Sequence, residues 1–108
     1  MIEVSIFLDQ ENRISGFQVM GHSGTAARGQ DIICAGVSSL AQTALLGIGE
    51  HLHREMDYSV GSGRLCMKLR GAPDALTEAI LETMLLGLEE IEKLSPKAVH
   101  IKRGQEVT

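Results

Sequence analysis

Apolar and polar residues alternate with a period of two over several short segments of the chain. This alternation is typical of β-strands that bury one face. It predicts strands over residues 2–8, 14–21, 52–60 and 64–70, and a last short strand over 97–103. The polar turn at 9–13 and the turn Gly61-Ser62-Gly63 each join two of these strands as an antiparallel hairpin.

Two longer segments carry apolar residues at helical spacing instead. The first predicts a helix that follows Asp31, its expected N-cap, and ends between Gly49 and His51. The second predicts a helix that starts within Gly71-Ala72-Pro73-Asp74 and runs to about Leu94, where Ser95 and Pro96 stop it. The elements therefore come in the order ββαββαβ.

This order predicts an α+β fold, with two helices and a mixed, mostly antiparallel sheet. The length of 108 residues suits one domain, so we expect residues 1–108 to form it. The two ββα units hint at a structural duplication, although no internal repeat of high identity is visible in the sequence.

The segment from Ile32 to Gly49 contains no charged residue and is long enough to suggest a membrane span. Serine, glutamine, threonine and glycine residues interrupt it. We therefore expect a helix buried in a protein core, and no membrane.

The second helix carries apolar residues on more than one face. One stripe contains Leu76, Ile80, Met84, Leu88 and Ile91, and the other contains Leu81 and Leu85. A single sheet cannot easily cover both stripes, so this pattern predicts a homodimer.

The amino-acid composition argues against several classes of function. Lys and Arg number 10 and Asp and Glu number 14, giving a net charge of −4, and only 3% of residues are aromatic. Direct binding of nucleic acid is therefore not expected. The first residues do not resemble a secretory signal, and two cysteines are too few for a disulfide scaffold, so the cytoplasm is the expected compartment. No cofactor is expected, and no CxxC or HxxxH pair supports a metal site.

Cys34 is the candidate nucleophile. It follows the expected start of a helix, where unpaired N–H groups and the helix dipole favour a thiolate. His22 begins the glycine-containing loop that precedes this helix. A cysteine and a histidine are the minimum apparatus for acyl transfer, and N–H groups at the helix start, including that of Cys34, could bind an oxyanion.

The residues alone leave alternatives open. A buried cysteine is more often inert than catalytic, so Cys34 could belong to the core. Asp31 could cap the helix, or it could orient His22. Ser38 lies one helical turn beyond Cys34 and could hydrogen-bond near the sulfur or only pack. Cys66 is expected to be a bystander on a strand.

The motif Gly21-His22-Ser23-Gly24, followed by Gly29 and by Asp31-Ile32-Ile33-Cys34-Ala35-Gly36-Val37-Ser38, resembles the ribosomal-processing cysteine protease family of Firmicutes and related bacteria. The resemblance covers essentially the whole chain, including Leu86 to Ile91. It implies a small α+β homodimer that removes a short N-terminal extension from large-subunit ribosomal protein number twenty-seven during ribosome assembly.

The resemblance also implies roles for single residues. Cys34 and His22 match the catalytic pair, and Asp31 and Ser38 match supporting positions of the motif. The loop between His22 and Asp31, with Gly21, Ser23, Gly24 and Gly29, would cover the site and admit the peptide. The main alternative is a dimer that binds a ribosomal protein without cutting it. A thiol redox sensor that uses Cys34 and Cys66 is a third reading.

Overall fold

The computed structural model describes residues 1–21 and 28–105, with the side chains of residues 28–31 left out. Its elements are β1 (Ile2–Leu8), β2 (Ile14–Met20), α1 (Arg28–Leu46), a π-helical turn (Gly47–His51), β3 (Met56–Gly61), β4 (Arg64–Leu69), α2 (Ala75–Leu94) and β5 (Val99–Gln105). The predicted order ββαββαβ and the α+β class are confirmed.

The five strands form one sheet in the order β3-β4-β2-β1-β5. β1 and β5 are parallel, and the other neighbours are antiparallel, so the predicted mixed sheet is confirmed. Gly16 allows a close approach between β2 and β4, because a Cβ there would lie 2.4 Å from the carbonyl oxygen of Met67. Both strands present alternate apolar side chains to a core that the two helices share.

α1 begins earlier than the sequence predicted. It starts at Arg28, so Asp31 lies inside the helix and its predicted N-cap role is wrong. Gly29 likewise lies in the first turn of α1 and not in a loop. Arg28 and Gln30 have good helix propensity, and one glycine costs only about 1 kcal/mol in a helix, so the helix can extend through these residues.

β3 begins at Met56, four residues later than the predicted strand over 52–60. The intervening residues close the end of the preceding helix. Leu52 donates its N–H to the carbonyl of Gly47, Arg54 donates to that of Ile48, and His53 has a positive φ of 55°. These backbone hydrogen bonds keep the segment out of the sheet. β5, at 99–105, is also shifted from its predicted range.

α1 and α2 pack against each other through glycines. A Cβ on Gly87 would lie 2.9 Å from the Leu40 side chain, and one on Gly47 would lie 3.1 Å from Ile80. From Leu40 forward to Gly47, the contact on α2 moves back from Gly87 to Ile80. The two helices are therefore antiparallel. Each helix therefore uses a glycine to let the other approach closely.

These two contacts belong to a short internal repeat that sequence reasoning missed. Thr, Leu-Leu-Gly and Glu recur at a spacing of 40 residues, at Thr43, Leu45, Leu46, Gly47 and Glu50 and again at Thr83, Leu85, Leu86, Gly87 and Glu90. The pattern of buried and exposed residues over 41–50 is identical to that over 81–90. The hint of duplication in the two ββα units therefore has a structural counterpart in the helix pair.

The argument from two apolar stripes on α2 is corrected by this packing. Leu81, Met84, Leu85 and Leu88 are buried, and Ile80 packs against the core. One chain buries most of both stripes because α1 covers what the sheet does not, but Leu76 of the first stripe is 56% exposed. The homodimer itself stays a prediction.

Within residues 1–21 and 28–105, one helical segment, Ile32–His51, is long and apolar enough to cross a membrane by length and composition alone. The core helix of a soluble protein passes the same test, so the finding is weak evidence. Val37, Ala41, Ala44 and Ile48 of this segment are buried in the core cluster. These contacts tie the segment to the rest of the chain.

Candidate active site

Cys34 is half-buried and lies in the second turn of α1, one wall of a cavity of about 210 Å³. Four further residues of α1 line the same cavity: Val37, Ser38, Ala41 and Gln42. The remaining walls come from strands and from the hairpin between β3 and β4: Ile2, Val19, Gly21, Val60, Gly61, Gly63, Arg64 and Leu65. The cavity is therefore built where the end of β2, the hairpin and α1 meet.

Gly21 fixes the end of β2 at the edge of this cavity. Its N–H donates to the carbonyl of Gly63 over 2.8 Å, which ties the strand end to the hairpin. Its φ of 90° lies in the left-handed region, and a Cβ would lie 2.4 Å from the carbonyl oxygen of Met1. Only glycine fits this position without strain. The next residue in the chain is His22, so Gly21 anchors the segment in which the predicted histidine lies.

The structure brings together three of the predicted site residues: Gly21, Cys34 and Ser38. His22, Ser23 and Gly24 lie outside the described residues, as does the side chain of Asp31. Of the predicted catalytic pair, the structure therefore describes the cysteine only, and the role of Asp31 toward His22 stays a prediction.

The helix start differs from the one expected around Cys34. The four N–H groups that lack a helical partner belong to the first residues of a helix, which here are Arg28 to Asp31. The prediction that the N–H of Cys34 is one of them is wrong. An oxyanion donor at this helix would have to come from its first turn or from another element.

Ser38 has a defined hydrogen bond. Its Oγ accepts from Nε2 of Gln42 over 2.8 Å, and both side chains line the cavity beside Cys34. Ser38 is therefore a polar residue of the cavity wall rather than a packing residue alone. Gln42 was not found from the sequence, although it continues the helix face of Cys34 and Ser38 by one more turn.

The two cysteines lie in different environments and are not joined in a disulfide. Cys66 is on β4, between Gln18 of β2 and Ser59 of β3, and is not among the described residues that line the cavity. Among the described residues, no group of three or more His, Cys, Asp or Glu side chains could hold a metal ion. Cys34 thus lines the cavity together with the polar residues Ser38 and Gln42.

Comparison with known proteins gives consistent likenesses. The family model described as Cysteine protease Prp matches residues 1–100. The ribosomal processing cysteine protease Prp of Bacillus subtilis (strain 168) is 29% identical over 110 residues, which covers 86% of this chain and 88% of that protein.

Several solved structures share the fold, among them two of a protease from S. aureus. The ribosomal processing protease Prp from S. aureus, crystallised with a substrate peptide, superposes with a TM-score of 0.88 at 23% identity, over 96% of this chain and 100% of that one. The S. aureus protease with a covalently linked product peptide gives a TM-score of 0.86 at 24% identity, with the same coverage. The likeness therefore extends over almost the whole of each chain.

Proposed function

The chain belongs to the family of cysteine protease Prp, and we propose that it removes the N-terminal extension of a ribosomal protein with Cys34 as nucleophile and His22 as general base and acid. The relatives described above are named as ribosomal processing proteases, and one is crystallised with a substrate peptide. The proposed substrate is large-subunit ribosomal protein number twenty-seven, which the family resemblance implies.

The proposed reaction has two halves. The Cys34 thiolate attacks the carbonyl carbon of the scissile peptide bond, the C–N bond breaks, and the His22 imidazolium gives its proton to the leaving amine. Water then attacks the resulting thioester while His22 accepts a proton from it. The carboxylate product leaves and the thiolate is regenerated. No cofactor is needed, since the thiol and the imidazole supply the nucleophile and carry the proton.

One observation carries the proposal: Cys34 and Gly21 line the same cavity from opposite elements. Gly21 is joined directly to His22, and its position is fixed by the hydrogen bond to Gly63. The covalently linked product peptide of the S. aureus protease supports covalent catalysis in this fold. A half-buried thiol beside a cavity is also what a nucleophile requires for access to a peptide.

The proposed setting follows from the substrate. A component of the ribosome is met in the cytoplasm, and the proposed working form is a homodimer. Two exposed leucines of α2, Leu76 and Leu94, offer apolar surface for a second copy. A molar mass measured by light scattering would test the dimer.

Substitution of Cys34 by alanine tests the assignment directly. We expect Cys34→Ala to abolish cleavage of the precursor ribosomal protein, because no other group of the cavity can form the thioester. Mass spectrometry of the substrate N-terminus after incubation would measure the product. His22→Ala should lower kcat by about two to four orders of magnitude.

Cys66→Ala is the matched control, since it removes the second thiol without touching the cavity. It should cut the precursor at the wild-type rate. Cleavage by Cys34→Ala at close to the wild-type rate would contradict the proposal. The alternative is a dimer that binds a ribosomal protein without cutting it. It would be favoured if the wild-type protein does not cleave the precursor and Cys34 is alkylated no faster than Cys66.

A further inference from the structure

The cavity beside Cys34 adjoins a second cavity of about 510 Å³. Gln42 of α1 and Val60 of β3 line both, so the two share a wall. We use "distal trough" for the part of the second cavity lined by Leu46, Gly49, Met56 and Tyr58. A single groove thus runs from Cys34 along α1 to the far end of β3.

The sides of this groove are apolar and open to solvent. Leu46 is 60% exposed, Tyr58 64% and Val60 54%, although all three are large apolar or aromatic side chains. Contiguous apolar surface of this kind on a small protein marks a binding site more often than an accident of packing. Its position beside the cavity at Cys34 points to the peptide as the occupant.

β3 adds backbone hydrogen-bonding groups to the groove. It is the outermost strand of the sheet, and in the described part of the chain it pairs with β4 alone. An exposed edge strand presents a row of N–H and C=O groups that an extended peptide can pair with. A peptide held in this way would direct alternate side chains toward the trough.

Charge at the far end of the groove suits a basic peptide. Arg54 is paired with Asp74, and Arg70 is paired with Asp57. Glu50 and Glu55 also line this end. Arg70 also lies 4.0 Å from Glu55. Two guanidinium groups therefore face four carboxylates, and the rim is acidic on balance.

We propose that the distal trough is a substrate subsite that holds an apolar side chain about five residues from the scissile bond. This inference rests on the proposed function. Leu46 lies three turns along α1 from Cys34, a rise of about 18 Å, and an extended peptide covers this distance in about five residues. The peptide is recognised by an apolar side chain in the trough and by backbone pairing with β3.

The test combines variants of the trough with peptides of different length. The long probe is a synthetic peptide of the precursor that extends well beyond five residues on both sides of the scissile bond. Two short probes each end three residues from that bond, one on the amino side and one on the carboxyl side. kcat/KM is measured for each, and binding of the same peptides to Cys34→Ala is measured by fluorescence anisotropy.

We expect Leu46→Ser to lower kcat/KM for the long peptide about tenfold, mainly through KM, because the lost contact is apolar. One of the two short peptides lacks the residue that enters the trough. For that peptide, the same substitution should change kcat/KM by less than twofold. Tyr58→Ser is a second variant with the same expectation. The binding constants of the Cys34→Ala protein should show the same dependence on length.

Leu86→Ser is the matched control. Leu86 is the counterpart of Leu46 in the internal repeat and is 62% exposed, but it lies on α2 away from the groove. It should leave all three peptides unchanged. The inference is overturned if Leu46→Ser and Tyr58→Ser affect the long and short peptides equally, or affect none of them.

Measuring the oligomeric state distinguishes the two possible occupants of the distal trough, the peptide and a second copy of the chain. If Leu46→Ser changes the molar mass measured by light scattering and lowers kcat/KM for every peptide alike, the trough binds a second copy and the subsite is wrong. Cleavage of the precursor by the wild-type protein is a separate observation. The proposed function therefore survives if only the dependence on length fails.

Discussion

Gly21 shows how a single residue can fix the end of a strand beside the cavity. Its positive φ and its contact with the Met1 carbonyl hold the end of β2 in a conformation that other residues rarely adopt. The hydrogen bond to Gly63 adds the hairpin to the same junction. His22, the proposed general base, is the next residue in the chain. A change of backbone conformation at Gly21 is therefore expected to displace it.

Gly21→Ala is therefore expected to lower both stability and activity. The added Cβ would meet a backbone oxygen that cannot rotate away, and the positive φ adds strain, so the loss should be about 1–3 kcal/mol. Urea denaturation measures the free energy of unfolding, and cleavage of the precursor measures the effect on kcat/KM.

Gly71→Ala is the control for this substitution. A Cβ on Gly71 meets no atom within 4 Å, and the residue does not have a positive φ. Its free energy of unfolding should stay within about 0.5 kcal/mol of wild type. Equal stability of the two variants would contradict the role given to Gly21.

The sequence predicted part of the site and not the rest. Cys34 and Ser38 follow from helical spacing, which places residues one turn apart on the same face. Gly61, Gly63 and Arg64 do not follow, because they reach the cavity only through the pairing of β4 with β2. A hairpin turn is visible in the sequence, but the element it will face is not.

The start of α2 is stabilised by a cap with an ionic partner. The Asp74 carboxylate accepts from the N–H groups of Leu76 and Thr77, and Thr77 Oγ1 accepts from the N–H of Asp74. The Arg54 side chain also donates to Asp74, and this hydrogen bond is the main cause that lowers the pKa of Asp74. Charged Asp74 therefore stabilises the folded chain.

This lowered pKa makes the stability of the protein depend on pH. The contribution of Asp74 is fully present above the pKa of an unfolded aspartate, about 4, and is lost as pH falls through the lower folded pKa. Asp74→Asn keeps a capping acceptor but loses the charge. We expect its Tm to lie below that of wild type at about pH 7 and to approach it at about pH 3.

Glu78→Gln should behave in the opposite way. Glu78 Oε1 accepts from the N–H of Ile14, and burial raises the pKa of this carboxyl. Its charged form is less stable in the folded chain than in the unfolded one, so removing the charge should help at neutral pH and matter less in acid. Tm shifts of the same sign in both variants would contradict this account.

The strands and helices were predictable to different degrees. β1 and β4 bury alternate residues, so their ranges follow from the sequence. β3 does not, because the residues before Met56 are held by hydrogen bonds to the preceding helix. The start of α1 was missed since Asp31 has the side chain of an N-cap, while the residues before it also favour a helix.

The net charge of the chain is expected to affect the rate at which it encounters its proposed substrate. The net charge is −4, and the proposed substrate is a basic ribosomal protein. Opposite net charges speed encounter, and salt screens this attraction over a Debye length of about 8 Å at physiological ionic strength. The protein would therefore attract the substrate before any contact forms.

We expect kcat/KM for the intact precursor to fall severalfold as ionic strength rises, with kcat less affected. A short peptide of zero net charge, cut at the same bond, is the control and should show little dependence on salt. If the precursor is cut equally fast at low and high salt, electrostatic attraction has no part in the encounter.

The arrangement of the sheet could not be predicted from the sequence. Alternation gives each strand a buried face, but it does not say which strand lies beside it. The parallel pairing of β5 with β1 requires the chain to return across α2, and the central position of β2 places Gly16 against Met67. The fold class was predictable because it depends on the order of elements alone.

The contact between the helices occurs in both halves of the repeat, whereas the candidate nucleophile occurs in one. Leu40 against Gly87 and Ile80 against Gly47 are the same contact made twice, once in each direction. At the repeat spacing, the position of Cys34 in the first half corresponds to Asp74 in the second. The chain thus carries one packing arrangement in two copies, with the candidate nucleophile at this position in the first half and a helix-capping carboxylate in the second.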